Sequence, residues 1–131
     1  LARDELLTAV CVPGRMAGRR GVYSKLRIRN SIDYPLAGVG VSLELDSDGI
    51  CRDARVAINA VNPAPLLLKD AEDWLVGQEY SAELVARVAQ RATQVGKPLT
   101  TSASTPGYRR EMLKIFTRRA LEESWRQHIG H

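Results

Sequence analysis

Aromatic residues are scarce in this chain, making up 5% of its 131 positions. That scarcity argues against a nucleic-acid surface built on base stacking, which needs rings spread over a basic face. Cysteine and histidine are scarcer still. Cys11 and Cys51 fall into no metal-ligand or redox spacing, and His128 and His131 have no carboxylate or cysteine arranged around them. No metal site is expected, because a zinc centre needs three or four such ligands. The two thiols read as free and half-buried in a reducing cytoplasm, with a disulfide as the alternative. No apolar run approaches the roughly 18 residues of a membrane span, and no signal-peptide core is present. The catalytic signatures GxSxG, HExxH, GxGxxG and the P-loop are all missing. The acids of ELDSD, residues 44–48, suit a turn and lack the further ligands of a calcium loop. No self-contained active site is expected.

What is present is an ordinary globular composition, 44% hydrophobic and 26% charged, in a length that suits one domain spanning residues 1–131. The chain opens at Leu1 without an initiator methionine and runs at once into a patterned segment, which reads as the C-terminal piece of a longer polypeptide. The net charge of +4 is uneven. Arg15, Arg19, Arg20, Lys25, Arg27 and Arg29 crowd an early stretch, and Arg109, Arg110, Lys114, Arg118 and Arg119 a late one. Such asymmetry suits an anionic partner, but scattered solvated cations give the same count.

Period-two alternation predicts a strand over residues 5–12, ELLTAVCV, ended by Pro13-Gly14. Residues 14–25, with three glycines and no helical period, read as an exposed loop. The clearest strand is LAGVGVSLEL, with Ala37, Val39, Val41, Leu43 and Leu45 on one face and Gly38, Gly40, Ser42 and Glu44 on the other. The two glycines leave room for the close approach of a helix or another domain's backbone. DSDG at 46–49 is a hairpin turn, and Ala54, Val56, Ile58 and Ala60 of the next strand point inward. NPAPLLL is an extended connector. After it come a short helix with Ala71, Trp74 and Leu75 buried, a helix capped by Ser81, and a last helix opened by Thr105-Pro106 and running to about Trp125. Strands first and helices after predict an α+β fold of two layers, a small antiparallel sheet packed against helices.

Lys25 with one or two arginines at the start of a sheet suits a small anion such as a pyrophosphate, since arginine offers a planar fork and lysine a mobile charge. The same cations facing solvent, or paired with Asp33 and helix carboxylates, explain the pattern more simply. Arg109 opens the last helix, where a cation opposes the dipole, so an acidic partner is expected for it.

Four stretches in order, DELLTAVCVP, YSKLRIRNSIDYPLAGVGVSLEL, ARVAINAVNPAPLLLKDAEDWLVG and STPGYRREMLKIFTRRALEE, resemble one known module. It is the C-terminal domain of the FAD-binding medium subunit of the molybdenum hydroxylases, a family that includes carbon monoxide dehydrogenase, xanthine dehydrogenase and 4-hydroxybenzoyl-CoA reductase. The resemblance implies a cytoplasmic complex in which electrons pass between a molybdenum cofactor, iron-sulfur clusters and FAD. It further implies that most of the flavin site lies in a preceding FAD-binding domain. This domain would cover the flavin and contact the iron-sulfur and molybdenum subunits, without a catalytic residue of its own. Carried over by position, the flavin contact of the Y-x-K element is Lys25, with Tyr23 and Arg29 as further cofactor-binding candidates and Asp33 at the acidic position before the strand. Asn59-Ala60 stands where the family usually has Gly-Gly, which implies a bulkier strand edge, and Thr101 where it often has aspartate. RNSIDYPLAGV and NPAPL are similar to aromatic acyl-CoA reductases such as 4-hydroxybenzoyl-CoA reductase. A stand-alone interaction or nucleic-acid-binding module is the competing reading; it predicts steeply salt-dependent DNA binding.

Overall fold

The computed structural model describes residues 1–30, 32–101 and 103–129, apart from the side chains of 128 and 129. His131 and the His128 side chain therefore lie outside the described residues. Four antiparallel strands form one sheet in the order β1 (Arg20–Leu26), β2 (Ala37–Leu45), β3 (Cys51–Asn59) and β4 (Leu66–Leu67). Three helices follow, α1 (Lys69–Leu75), α2 (Ala82–Val95) and α3 (Pro106–Ile129). This is the expected two-layer α+β arrangement.

The alternation of β2 does most to position the rest. Ala37, Val39, Val41 and Leu43 are buried in one core with Ala54, Val56 and Ile58 of β3, and the helices contribute Leu75, Val85, Val88, Leu113 and Leu121 to it. Because side chains alternate, pairing Val22 with Val41 and Val41 with Val56 commits each strand's apolar set to the helix side. The hairpin between β2 and β3 turns at Gly49, whose φ of 80° suits glycine, and Asp46 accepts hydrogen bonds from the amides of Asp48 and Ile50. Ser81 caps α2 by accepting from Leu84 N at 3.1 Å, and Thr105 Oγ1 does the same for α3 through Tyr108 N at 3.3 Å.

Several expectations are corrected. Residues 5–12 form no strand: they are exposed, and so is Cys11. Alternation makes a strand only where a neighbouring edge takes up its backbone groups, and no described residue pairs with this segment. Residues 14–25 are not one loop; a short 3-10 turn at Gly14–Met16 leads into β1 at Arg20. Pairing with β2 along the whole of β1 overrides the weak strand propensity of its glycine and arginines. Trp74 is half-buried, its ring under the Arg87 guanidinium at 3.8 Å, so the cation shields the face that burial was expected to cover. α3 extends past Trp125 to Ile129.

Candidate functional site

The helices cover one face of the sheet; the other is open. On that outer face the register aligns Tyr23 with Gly40 and Ala57, and Lys25 with Gly38 and Asn59. Tyr23 and Lys25 are two residues apart on β1, so their side chains share the face. The hollow beside Tyr23, about 430 Å³, has Gly21, Gly40, Ser42 and Ala57 among its lining residues. Small residues in three neighbouring strands lower the surface there, and Tyr23 forms a wall.

The glycines of β2 admit neither a helix nor another backbone within this chain. A Cβ at Gly38 would run into the Asn59 side chain and stand 3.1 Å from Tyr23 Oη, while one at Gly40 would touch the Tyr23 ring at 3.8 Å. Asn59 Nδ2 donates to Tyr23 Oη at 3.3 Å. The expected bulkier strand edge is therefore real: the Asn59 amide lies over Gly38. Ala60, next along, has φ of 64°, a conformation that favours glycine.

Lys25 is half-buried and makes no ion pair among the described residues. Arg29 is not brought to it. It stands in the β1–β2 loop, largely exposed, with Nε 4.0 Å from Asp33 Oδ1. Asp33 organises that loop: its carboxylate accepts from the amides of Ile28 at 3.0 Å, Arg29 at 3.3 Å and Tyr34 at 3.0 Å. Partial desolvation raises its pKa, but these amides and the Arg29 charge outweigh it, and the carboxyl titrates below its ordinary value. The rest of the early cluster disperses. Arg19 is nearly buried between Asp53 and Glu44, and Arg27 donates to the Asn30 carbonyl; outside the cluster, Arg52 of β3 pairs with Asp46 and Arg55 with Asp53.

Arg109 lacks the acidic partner expected of it. It is buried, and its guanidinium donates to three main-chain carbonyls, Leu36 and Leu99 at 2.7 Å and Ala60 at 2.5 Å. These belong to the entrance of β2, the α2–α3 linker and the exit of β3. Carbonyl dipoles satisfy the fork where a carboxylate was anticipated. The same residue lines a second cavity of about 620 Å³ with Lys97, Leu99 and Asn62. Sequence reasoning missed both this clamp and the Asn59–Tyr23 contact. The one available signal was a cation at the wrong end of a helix dipole.

A model of the family described as the CO dehydrogenase flavoprotein C-terminal domain matches residues 22–124. The chain belongs to this family. It is 29% identical over 121 residues to the glyceraldehyde dehydrogenase medium chain of Sulfolobus acidocaldarius, covering 92% of this chain and 42% of that one. Against the carbon monoxide dehydrogenase medium chain of Afipia carboxidovorans it is 30% identical over 120 residues, 92% of this chain and 41% of the relative. Carbon monoxide dehydrogenase from Hydrogenophaga pseudoflava contains a chain that superposes with a TM-score of 0.76 at 28% identity, over 83% of this chain and 37% of that chain. The chain thus spans about two-fifths of the length of the curated relatives it matches. The family match begins inside β1, so the exposed segment 5–12 stands outside it. No helix among the described residues is long and apolar enough to cross a membrane.

Proposed function

We propose that this domain forms one wall of a flavin site in the medium subunit of a cytoplasmic molybdenum-dependent oxidoreductase. In that setting FAD, held mainly by a preceding domain, would supply one- and two-electron chemistry between iron-sulfur and molybdenum subunits and an external partner. The observation that carries the reading is the outer sheet face. There Lys25, with no ion pair among the described residues, shares a face with Tyr23 beside a hollow lined by Gly21, Gly40 and Arg55, on the side the helices leave uncovered. These residues fit a dinucleotide: a cation for its phosphate or ring oxygens, an aromatic edge, and strands low enough for close approach. Lys25 and Tyr23 are the contacts on the sheet. Arg29 would act from the loop, beside Asp33. The domain would bind, orient and shield; it contributes no group that moves a proton or an electron.

The test is FAD retention by the complete subunit. Lys25→Met should weaken FAD binding by roughly tenfold to a hundredfold, the worth of a charge-assisted hydrogen bond. Binding equal to the parent's would refute the role of Lys25. The 131-residue piece alone should bind FAD weakly or not at all. Tight binding to that piece, with quenched flavin fluorescence, would overturn the idea of a site shared between domains. Within this reading, RNSIDYPLAGV and NPAPL favour an aromatic acyl-CoA reductase as the complete enzyme. Reduction assays with 4-hydroxybenzoyl-CoA, set against oxidation of carbon monoxide and xanthine, decide it.

A further inference from the structure

We infer that Asn59 is a positioning residue that turns Tyr23 into a hydrogen-bond donor towards the ligand on the outer sheet face; this rests on the flavin reading above. Three features lead there. The Asn59 amide donates to the Tyr23 oxygen at 3.3 Å. A phenol that accepts from the protein keeps its own hydrogen for another partner, and no acceptor for that hydrogen is found among the described residues. Tyr23 is more than half exposed and its hydroxyl lies at the Gly38–Asn59 end of the ring, so the hydrogen is available to a molecule on the outer face there.

The second feature is what the arrangement costs. Asn59 Oδ1 is buried and has no hydrogen-bond donor among the described residues. Buried acceptors without a partner are uncommon in folded proteins, because each has given up water for nothing. An asparagine held this way gains one side-chain hydrogen bond, to Tyr23, for the polar group it buries. Third, the position opposite is Gly38, and any side chain there would displace the amide. The register thus places Gly38 where it admits the Asn59 amide, and the amide in turn holds the Tyr23 hydroxyl. Lys25 stands across from Gly38 on the same face, so a cation and an oriented hydroxyl donor lie side by side. Two donors in a row suit a ligand presenting acceptors only, the carbonyl oxygens of a flavin ring or the oxygens of its pyrophosphate.

The polarity of the Asn59–Tyr23 bond makes the test specific. The complete subunit is prepared with Tyr23→Phe, Asn59→Ala, Asn59→Asp and the Tyr23→Phe/Asn59→Ala pair, and FAD dissociation constants and unfolding temperatures are measured together. Tyr23→Phe should weaken FAD binding by about threefold to tenfold, the range of one neutral hydrogen bond. Asn59→Ala should lose part of that, and the pair should lose no more than Tyr23→Phe alone, since both act through one hydroxyl. Asn59→Asp captures the hydroxyl hydrogen, since a carboxylate only accepts, and should lose at least as much as Tyr23→Phe without a matching fall in unfolding temperature. Its charge beside Lys25 is controlled by making it in Tyr23→Phe as well, where its effect on FAD binding should be smaller than in the parent. The inference is overturned if Asn59→Asp binds FAD like the parent, if the two single losses multiply in the pair, or if affinity merely tracks unfolding temperature. A parent subunit that holds no FAD overturns the flavin reading itself and this inference with it, an outcome distinct from the other three.

Discussion

Replacing Arg109 with methionine removes a buried cation while keeping most of its volume, and the structure allows the cost to be worked out. Three carbonyls lose their donor: Leu36, Ala60 and Leu99. Leu99 is 79% exposed, so water replaces the guanidinium there at little cost. Leu36 and Ala60 are half-buried, and each carbonyl left unpaired costs about 1–2 kcal/mol. Ala60, whose carbonyl takes one of these bonds, also has a left-handed φ of 64°. The buried guanidinium's own desolvation is recovered in the variant and works the other way. The net expectation is a loss of about 1–3 kcal/mol, which for a domain of this size lowers the unfolding midpoint by roughly 4–12 °C. Arg109→Lys should recover less than half of the loss, since a point charge on a shorter reach cannot serve three carbonyls set around a planar fork. Thermal unfolding followed by circular dichroism, with urea midpoints at constant slope, measures both. An Arg109→Met midpoint within about 2 °C of the parent would refute the reasoning, because one conversion factor links the carbonyl losses to the shift.

Asp33→Asn should loosen the β1–β2 loop at neutral pH, seen as faster amide exchange at Ile28 and Arg29, whose N–H groups its carboxylate accepts. The folded-state pKa lies below the ordinary value of 3.8, so the carboxylate's contribution is complete above that value and fades as pH falls through the depressed one. The gap between parent and variant should therefore close in strong acid; a gap that persists there would place the effect outside the charge. The two thiols should separate cleanly. Cys51 is buried and its pKa is pushed up to about 11, by desolvation first, while Cys11 is exposed. Alkylation of the native protein at pH 8 should modify one cysteine and denaturation should expose the second; two modified thiols in the native state would contradict the core position of Cys51.

The parts of this fold that were legible in the sequence are those whose instructions are local. β2 announces itself because every second residue from Ala37 to Leu43 is apolar, and the DSDG turn and the Ser81 cap each rest on a few neighbouring residues. β1 was hidden by Gly21 and the arginines, since its strand state comes from the edge of β2 rather than from its own propensities. Segment 5–12 shows the converse, a strand-like pattern without a ladder. The candidate site divides the same way. Tyr23 and Lys25 could be placed on one face as soon as β1 was a strand, but Asn59 meets Tyr23 across 36 positions and Arg109 meets Leu36 across 73. Neither contact has a periodic signature, because each is fixed by the register of the sheet and by how α3 lies against it.

The outer face carries a further argument about why the domain is built this way. Glycine in a strand gives up side-chain packing and costs conformational entropy, so Gly21, Gly38 and Gly40 weaken the sheet that holds the domain together. The loss falls wholly on the side away from the helices, where no core compensates for it, whereas the inner positions of β2 between them are all buried valine, alanine or leucine. Stability alone would favour β-branched residues on both faces of a central strand. Gly38 is instead buried beneath the Asn59 amide and the Tyr23 ring lies against Gly40, so side chains of β1 and β3 refill the space that the glycines of β2 leave. The glycines of β2 are thus explained within the chain, as the room in which Tyr23 and Asn59 meet, and that requirement links them to the side chains of β1 and β3.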